Sequence, residues 1–344
     1  MGLNLNIDSS LQIPIYKQIV TNILDGINNG TLPAGTQLPS MTELSVSHNI
    51  AKETVKKAYD YLRKEMIIDS VRGKGCYIAD TGAKRKKKIL LLFDKISTYK
   101  QILYDSFQQS IHANAEITLY LHNQNIDLFA EQVASSLPHY DYFIITPHFP
   151  LEDETQRRLI KILNKIPNYK LILLDRKIDE LPGNYGAVYQ DFRTDVVLGL
   201  REELKSVRHF EKLCVIHGAS SMYARSMKPA IQEFAKTYDI KVEFHDHIPI
   251  DIIHKGYLYL ILCGQHDDTL IQLIELAQQY KYKIGKDIGI ISYNDSPINK
   301  IILNGLSCVS TDFVQMGQLA AEMINTKVFR KVHCDFKLIR RNTF

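Results

Sequence analysis

From Lys88 onward the chain alternates short continuous apolar runs with amphipathic helical segments, and this alternation limits its fold more than any other feature. Ile89-Leu90-Leu91-Leu92-Phe93, Tyr142-Phe143-Ile144-Ile145 and residues 170–175 are runs of this kind, followed by 212–216, 257–262 and 288–293. Helical spacing falls between them near 99–114, 152–165, 227–238 and 269–280. A strand that is apolar on both faces has no side to offer water, so it belongs in a parallel sheet covered by helices on both faces. Roughly 250 residues of this pattern suffice for two such sheets. Ligands of open parallel sheets sit beyond the carboxyl ends of the strands. The expected fold is therefore α/β, with two lobes and a cleft between them.

The first 80 residues carry a different pattern. Ile15, Ile19, Ile23 and Ile27 recur every fourth residue between Pro14 and Gly30, which predicts a helix over 14–30. Ser40, with Glu43 three residues on, forms a capping box for a second helix. After a short turn, a third helix over 51–66 sets Val55, Ala58, Tyr59, Leu62 and Met66 on one face and Lys52, Lys56 and Arg63 on the other. Asn49 is a candidate cap for that helix. Arg72-Gly73-Lys74-Gly75 then reads as a basic, glycine-rich hairpin tip. A Lys-rich helix face alone is usually a solvated face. Joined to the turn and the basic hairpin, it fits the grooves and phosphates of duplex DNA. Charge agrees: residues 1–88 hold 13 Lys and Arg against 8 Asp and Glu, while the rest holds 29 against 30. All the positive excess of this chain, net +4, lies in its first quarter.

These residues resemble the winged helix-turn-helix of GntR-type transcription regulators over 10–79. Pro14-Ile15-Tyr16 with Gln18-Ile19, the connector from Gly30 through Leu32-Pro33 and Gly35 to Leu38-Pro39-Ser40, Thr54-Val55-Lys56 and the Arg72–Gly75 wing carry the resemblance. It implies DNA contacts from Ser40, Thr42, Lys52, Thr54 and Lys56, and from Arg72, Gly73 and Lys74 in the wing. Two positions depart from the family, which usually has Arg in place of Thr42 and Ser in place of Ala51. Lysine lacks the bidentate fork of arginine, so Lys52 and Lys56 position on phosphate better than they discriminate bases. Residues 80–88, ending Lys84-Arg85-Lys86-Lys87-Lys88, read as a basic hinge that adds weak non-specific affinity for the DNA backbone.

Residues 88–344 resemble the effector core of LacI-type regulators, which is similar to periplasmic sugar-binding proteins. Leu173-Leu174-Asp175-Arg176, Val188-Tyr189-Gln190-Asp191 with Gly199, Ala224-Arg225, residues 285–295, 306–311 with Met316-Gly317, and 339–343 carry this likeness. The family's own short DNA-binding head is replaced by the winged one, a chimera of a kind known among sugar-responsive regulators. Ligand candidates follow from strand ends: Asp94 and Tyr99 after the first run, His148 after the second, Asp175 ending the third. Asp191 lies at the first crossover and Arg225 opens a helix. Gln265 and His266 follow Leu262, and Asn294 follows Ser292-Tyr293. Sugars need planar polar side chains that donate and accept in pairs, plus an aromatic face, for which Tyr99 or Phe149 is suited. The resemblance singles out Arg225 and Asn294. The expected organisation is a winged helix-turn-helix over 1–79, a linker over 80–88, and a two-lobed effector-binding and dimerisation domain of parallel sheets flanked by helices over 89–344.

No Ser nucleophile elbow, phosphate-cradling Gly loop or H-E-x-x-H occurs, so the chain does not read as an enzyme. Cys76, Cys214, Cys263, Cys308 and Cys334 are odd in number without C-x-x-C, as in a reduced, cytoplasmic protein. No signal pattern is present, and no apolar run nears the roughly 18 residues of a membrane span. His245-Asp246-His247 offers two imidazoles on one side of a strand, but with no third ligand nearby it reads as a solvated strand end. No metal or cofactor is expected. The reading is a ligand-gated transcription regulator, a homodimer on double-stranded operator DNA, whose effector is a monosaccharide or sugar phosphate. The alternative is a solute-binding protein or sugar-processing enzyme with an N-terminal DNA-localising domain.

Overall fold

The computed structural model describes residues 5–8, 14–28, 30–80, 86–111, 115–218, 222–248, 253–262 and 268–344. No helix among them is long and apolar enough to cross a membrane.

The N-terminal head comprises α1 (Ile15–Asn28), α2 (Met41–His48) and α3 (Lys52–Lys64), closed by the antiparallel hairpin of β1 (Ile68–Val71) and β2 (Gly75–Ile78). The isoleucine stripe of α1 buries Ile19 and Ile23 against Leu44, Val55, Tyr59 and Leu62. Helix α2 starts on the capping box: the Ser40 hydroxyl accepts from the Glu43 amide, and the Glu43 carboxylate accepts from the Ser40 amide. Helix α3 lacks a side-chain cap at Ala51. Asn49, expected to supply one, instead ends α2 in the left-handed region with φ 50°. Tyr59 ties α3 to the connector by donating to the Pro39 carbonyl at 2.7 Å.

Lobe 1 is built from β3 (Lys87–Phe93), α4 (Thr98–Ser110), β4 (Ala115–Leu121), α5 (Ile126–Ser136), β5 (Tyr142–Ile145), α6 (Asp153–Leu163), β6 (Leu171–Asp175) and β7 (Gly186–Tyr189). The chain then crosses into lobe 2, with α7 (Asp195–Glu202), α8 (Leu204–Val207), β8 (Lys212–Ile216), α9 (Ala224–Thr237) and β9 (Lys241–His245). Lobe 2 continues through β10 (Tyr257–Ile261), α10 (Asp268–Gln279), β11 (Gly289–Tyr293) and β12 (Ser307–Thr311). It returns to lobe 1 for α11 (Phe313–Thr326) and β13 (Lys331–His333), then ends in lobe 2 as β14 (Phe336–Ile339). The six-stranded sheets run β13-β7-β6-β5-β3-β4 and β14-β12-β11-β10-β8-β9. All neighbours are parallel except β12 with β14.

Every residue of β5, β6, β11 and β12 is buried, which is why those strands read as unbroken apolar runs. Helix α9 begins at Ala224 rather than at 227 and carries Pro229 within it. Helices α11 and α4 pack closely at Gly317, where a Cβ would stand 2.6 Å from the Leu103 carbonyl oxygen and 2.7 Å from the Phe107 amide. The head touches lobe 1 through charged groups: Lys170 Nζ stands 2.7 Å from the Asp25 carboxylate, and Lys88 Nζ 3.4 Å from that of Glu65.

Candidate functional site

Between the carboxyl ends of the two sheets lies a cavity of about 220 Å³. Asp94, Tyr99, His148 and Asp175 line it from lobe 1, and Tyr223, Tyr293 and Asn294 line it from lobe 2. Asp175, the last residue of β6, and Asn294, the first after β11, lie in the left-handed region at φ 70° and 66°, which turns the chain at the cavity rim.

A buried hydrogen-bond relay crosses the cleft. The Asp175 carboxylate faces His148 Nε2 at 2.8 Å and accepts from Gln190 Nε2 at 2.5 Å. Because a carboxylate only accepts, His148 carries its proton on Nε2, and its Nδ1 accepts from the Tyr223 hydroxyl at 2.5 Å. At the other end Tyr293 donates to Gln190 Oε1 at 2.5 Å. Two tyrosines of lobe 2 thus close on one carboxylate of lobe 1, and Phe192 stacks on Tyr223 with centroids 3.9 Å apart.

Burial holds His148 below its ordinary range although Asp175 pulls it up, so the imidazole is neutral at pH 7. Burial also opposes ionisation of Asp175, but His148, Lys100 and Gln190 outweigh it and keep the group a carboxylate. Lys100, pressed down to about 8 by burial, pairs with Asp94, which also accepts from the Thr146 hydroxyl at 3.0 Å.

Of the ligand candidates, Asp94, Tyr99, His148, Asp175 and Asn294 are brought together around the cavity. Asp191 is not. Its side chain accepts from the Arg193 amide at 2.9 Å, turning the chain into α7, and the neighbouring Gln190 faces the cavity instead. Phe149 is fully buried in the lobe 1 core, stacked on His122, so it offers no face to a ligand. Gln265, His266 and the side chain of Arg225 lie outside the described residues, whereas Met227 lines the cavity. Sequence reasoning missed Gln190, Tyr223 and Tyr293. The available signal was position: Gln190 adjoins Asp191, Tyr293 adjoins Asn294 at the end of β11, and Tyr223 stands two residues before Arg225.

On the head, Thr42, Lys52, Lys56, Arg72, Gly73 and Lys74 are exposed and Thr54 is half-buried. Ser40 is exposed too, its hydroxyl engaged in the capping box. Gly73 turns the hairpin with φ 77°, and Gln37 Nε2 donates to the Lys74 carbonyl at 2.8 Å, bracing the wing on the connector. Lys56 stands 3.8 Å from Glu53, a loose exposed pair that costs little to break.

Head and core together define a class: a winged DNA-binding head joined to a two-lobed domain of the periplasmic-binding type. Residues 15–78 match the bacterial regulatory proteins of the gntR family, and residues 259–332 match the periplasmic binding protein-like domain. The HTH-type transcriptional repressor YtrA of Bacillus subtilis is 31% identical over 113 residues, 33% of this chain and 83% of that protein. The repressor STM4068 of Salmonella typhimurium is 38% identical over 74 residues, and this chain spans only 31% of it. Along nearly the whole length, the arabinose metabolism transcriptional repressor of Halalkalibacterium halodurans is 22% identical over 90% of this chain and 87% of its own. The trehalose repressor from Escherichia coli shares the core fold, with TM-score 0.59 and 12% identity over 74% of this chain and all of that one. The chain belongs to the gntR family of bacterial regulatory proteins, and it carries a LacI-like core behind the family's head.

Proposed function

We propose that the protein is a sugar-responsive transcription regulator of a carbohydrate-utilisation operon, and that a monosaccharide or sugar phosphate bound between the lobes changes its grip on double-stranded operator DNA. The relay from Tyr223 through His148, Asp175 and Gln190 to Tyr293 is the observation that carries this reading. It closes the lobes on groups that alternate donor and acceptor, the pattern a row of sugar hydroxyls reproduces. A ligand that takes over those bonds favours one lobe arrangement over the other, which is the differential contact a switch requires.

In this reading residues 1–79 form the DNA head, 80–88 the linker and 89–344 the effector domain. Ser40, Thr42, Lys52, Thr54, Lys56, Arg72, Gly73 and Lys74 meet DNA, while Asp94, Tyr99, His148, Asp175 and Asn294 meet the ligand. A homodimer follows from the small reach of one head, which gains affinity and register by pairing half-sites.

Fluorescence anisotropy of labelled operator DNA, titrated with monosaccharides and their phosphates, tests the proposal. One sugar is expected to shift DNA affinity by roughly 5–150-fold. Tight DNA binding unmoved by every sugar would remove the effector role and leave only a DNA-binding protein.

A further inference from the structure

Lobe 2 carries a second cluster of chemistry, none of whose residues lines the cleft. On edge strand β9, Glu243 pairs in register with Cys214 of β8, and His245 pairs with Ile216 one repeat further along. Side chains two residues apart share a face of a sheet, so Cys214, Glu243 and His245 project to the same side. A thiol sulfur, a carboxylate oxygen and an imidazole nitrogen there lie within 4.8 Å of one another. The third ligand that the sequence did not offer His245 comes from a different strand.

Three details say what the cluster fits. His245 Nε2 is buried without a hydrogen-bond partner among the described residues, and the nearest carboxylate oxygen, Glu243 Oε1, stands 3.5 Å from it. The other Glu243 oxygen accepts from Lys212 at 2.9 Å, which orients the carboxylate and leaves Oε1 toward the imidazole. Glu243 and His245 remain 29% and 26% exposed at the sheet edge, so an ion has a way in. Tetrahedral zinc, with bonds of about 2.0–2.3 Å to such atoms, requires only a small inward closure of these three.

The geometry points to a divalent metal site at Cys214, Glu243 and His245, suited to zinc, with water as fourth ligand. Thiolate and imidazole select this ion over magnesium or calcium, which take oxygen ligands. Binding forms one metal–sulfur bond, and the Cys214 proton leaves to solvent without any change of oxidation state. Because the ion takes the thiolate, binding releases a proton and affinity falls as pH falls. The ion would clamp β9, the exposed edge of the lobe 2 sheet, onto β8.

The test uses the full chain after chelator treatment, with cobalt(II) as a spectroscopic probe. The expected result is a thiolate-to-cobalt charge-transfer band that saturates at one equivalent and is bleached by zinc. Cys214→Ser removes the band, and His245→Ala weakens binding by more than the roughly 10–100-fold typical of groups that only support a ligand. His247→Ala, outside the cluster, leaves both unchanged. A wild-type protein without the band, or a folded Cys214→Ser protein that keeps it, overturns the assignment. If Cys214→Ser fails to fold, Glu243→Gln at the exposed edge serves, and unchanged cobalt affinity there overturns it equally.

Discussion

The face of the head proposed to meet DNA and the cleft between the lobes present opposite kinds of polar surface. Lys52, Lys56, Arg72 and Lys74 stand in solvent. Asp94, Lys100, His148 and Asp175 are at most 4% exposed, and each is met by another. The exposed cations act through a field that salt screens over about 8 Å, so each contributes a graded share and none depends on its neighbours. The buried groups act through contact in low dielectric, where losing one strands another. The head is therefore tuned by ionic strength and the cleft by pairing.

The sharpest way to break this contrast is to remove the centre of the relay. Asp175→Ala leaves His148 and Gln190 unmatched and takes a counter-charge from Lys100, for an expected loss of about 3–5 kcal/mol in denaturant unfolding. A loss below about 1 kcal/mol would mean the carboxylate contributes no more than an ordinary hydrogen bond. Acid probes the same lobe. His122, buried between Phe129 and Phe149, is lowered by burial from 6.5 to about 4, and His148 is also lowered. Both are neutral in the fold, so the unfolded chain takes up protons first as pH falls. Their stabilising effect is complete above pH 6.5 and is lost as pH falls through the folded values. For His122 the loss is on the order of 3 kcal/mol between neutrality and pH 4. Thermal melts across that range should show it, and His122→Gln should flatten the acid limb.

How much of this was legible follows the same division. The central strands were readable because burial on both faces leaves unbroken apolar runs, as in β5 and β11. Edge strand β4 was not, since partial exposure breaks the run, β9 showed only its end at His245, and the three-residue β13 is too short for any period to register. The Ser40 and Glu43 cap was local and therefore visible, while the left-handed turn at Asn49 was not. In the cleft, strand ends pointed to Asp175 and Asn294, but choosing Gln190 over Asp191 depends on which of two adjacent residues turns inward. Tyr293 meets Gln190 across 103 residues, and nothing in a linear pattern pairs them. The metal cluster was half visible as His245, with its thiol hidden in another strand.

Smaller changes sharpen the contrast. Tyr223→Phe removes one hydroxyl that bridges the lobes and keeps the stack on Phe192, so the expected cost is about 1 kcal/mol. The neutral His148 keeps its bond to Asp175, and the lost contact lies only between lobes. Unfolding should move by that amount, and the salt dependence of operator binding, read by anisotropy, should not move. A changed salt slope would mean that the relay also governs how many phosphates the head engages.

Lys56→Ala is the mirror experiment and has the smallest effect on the fold. The side chain is 53% exposed and its one ion pair, with Glu53, is 3.8 Å long, so unfolding should shift by no more than about 0.5 kcal/mol. Its loss appears only on DNA. One phosphate contact fewer lowers the slope of log affinity against log salt by about one, alike for operator and unrelated duplex. Equal loss on both duplexes follows from lysine being a point charge, which registers the backbone without reading base edges. If the loss falls on the operator alone with the slope unchanged, Lys56 reads a base. The head would then resemble the cleft in depending on specific contacts rather than on a screened field.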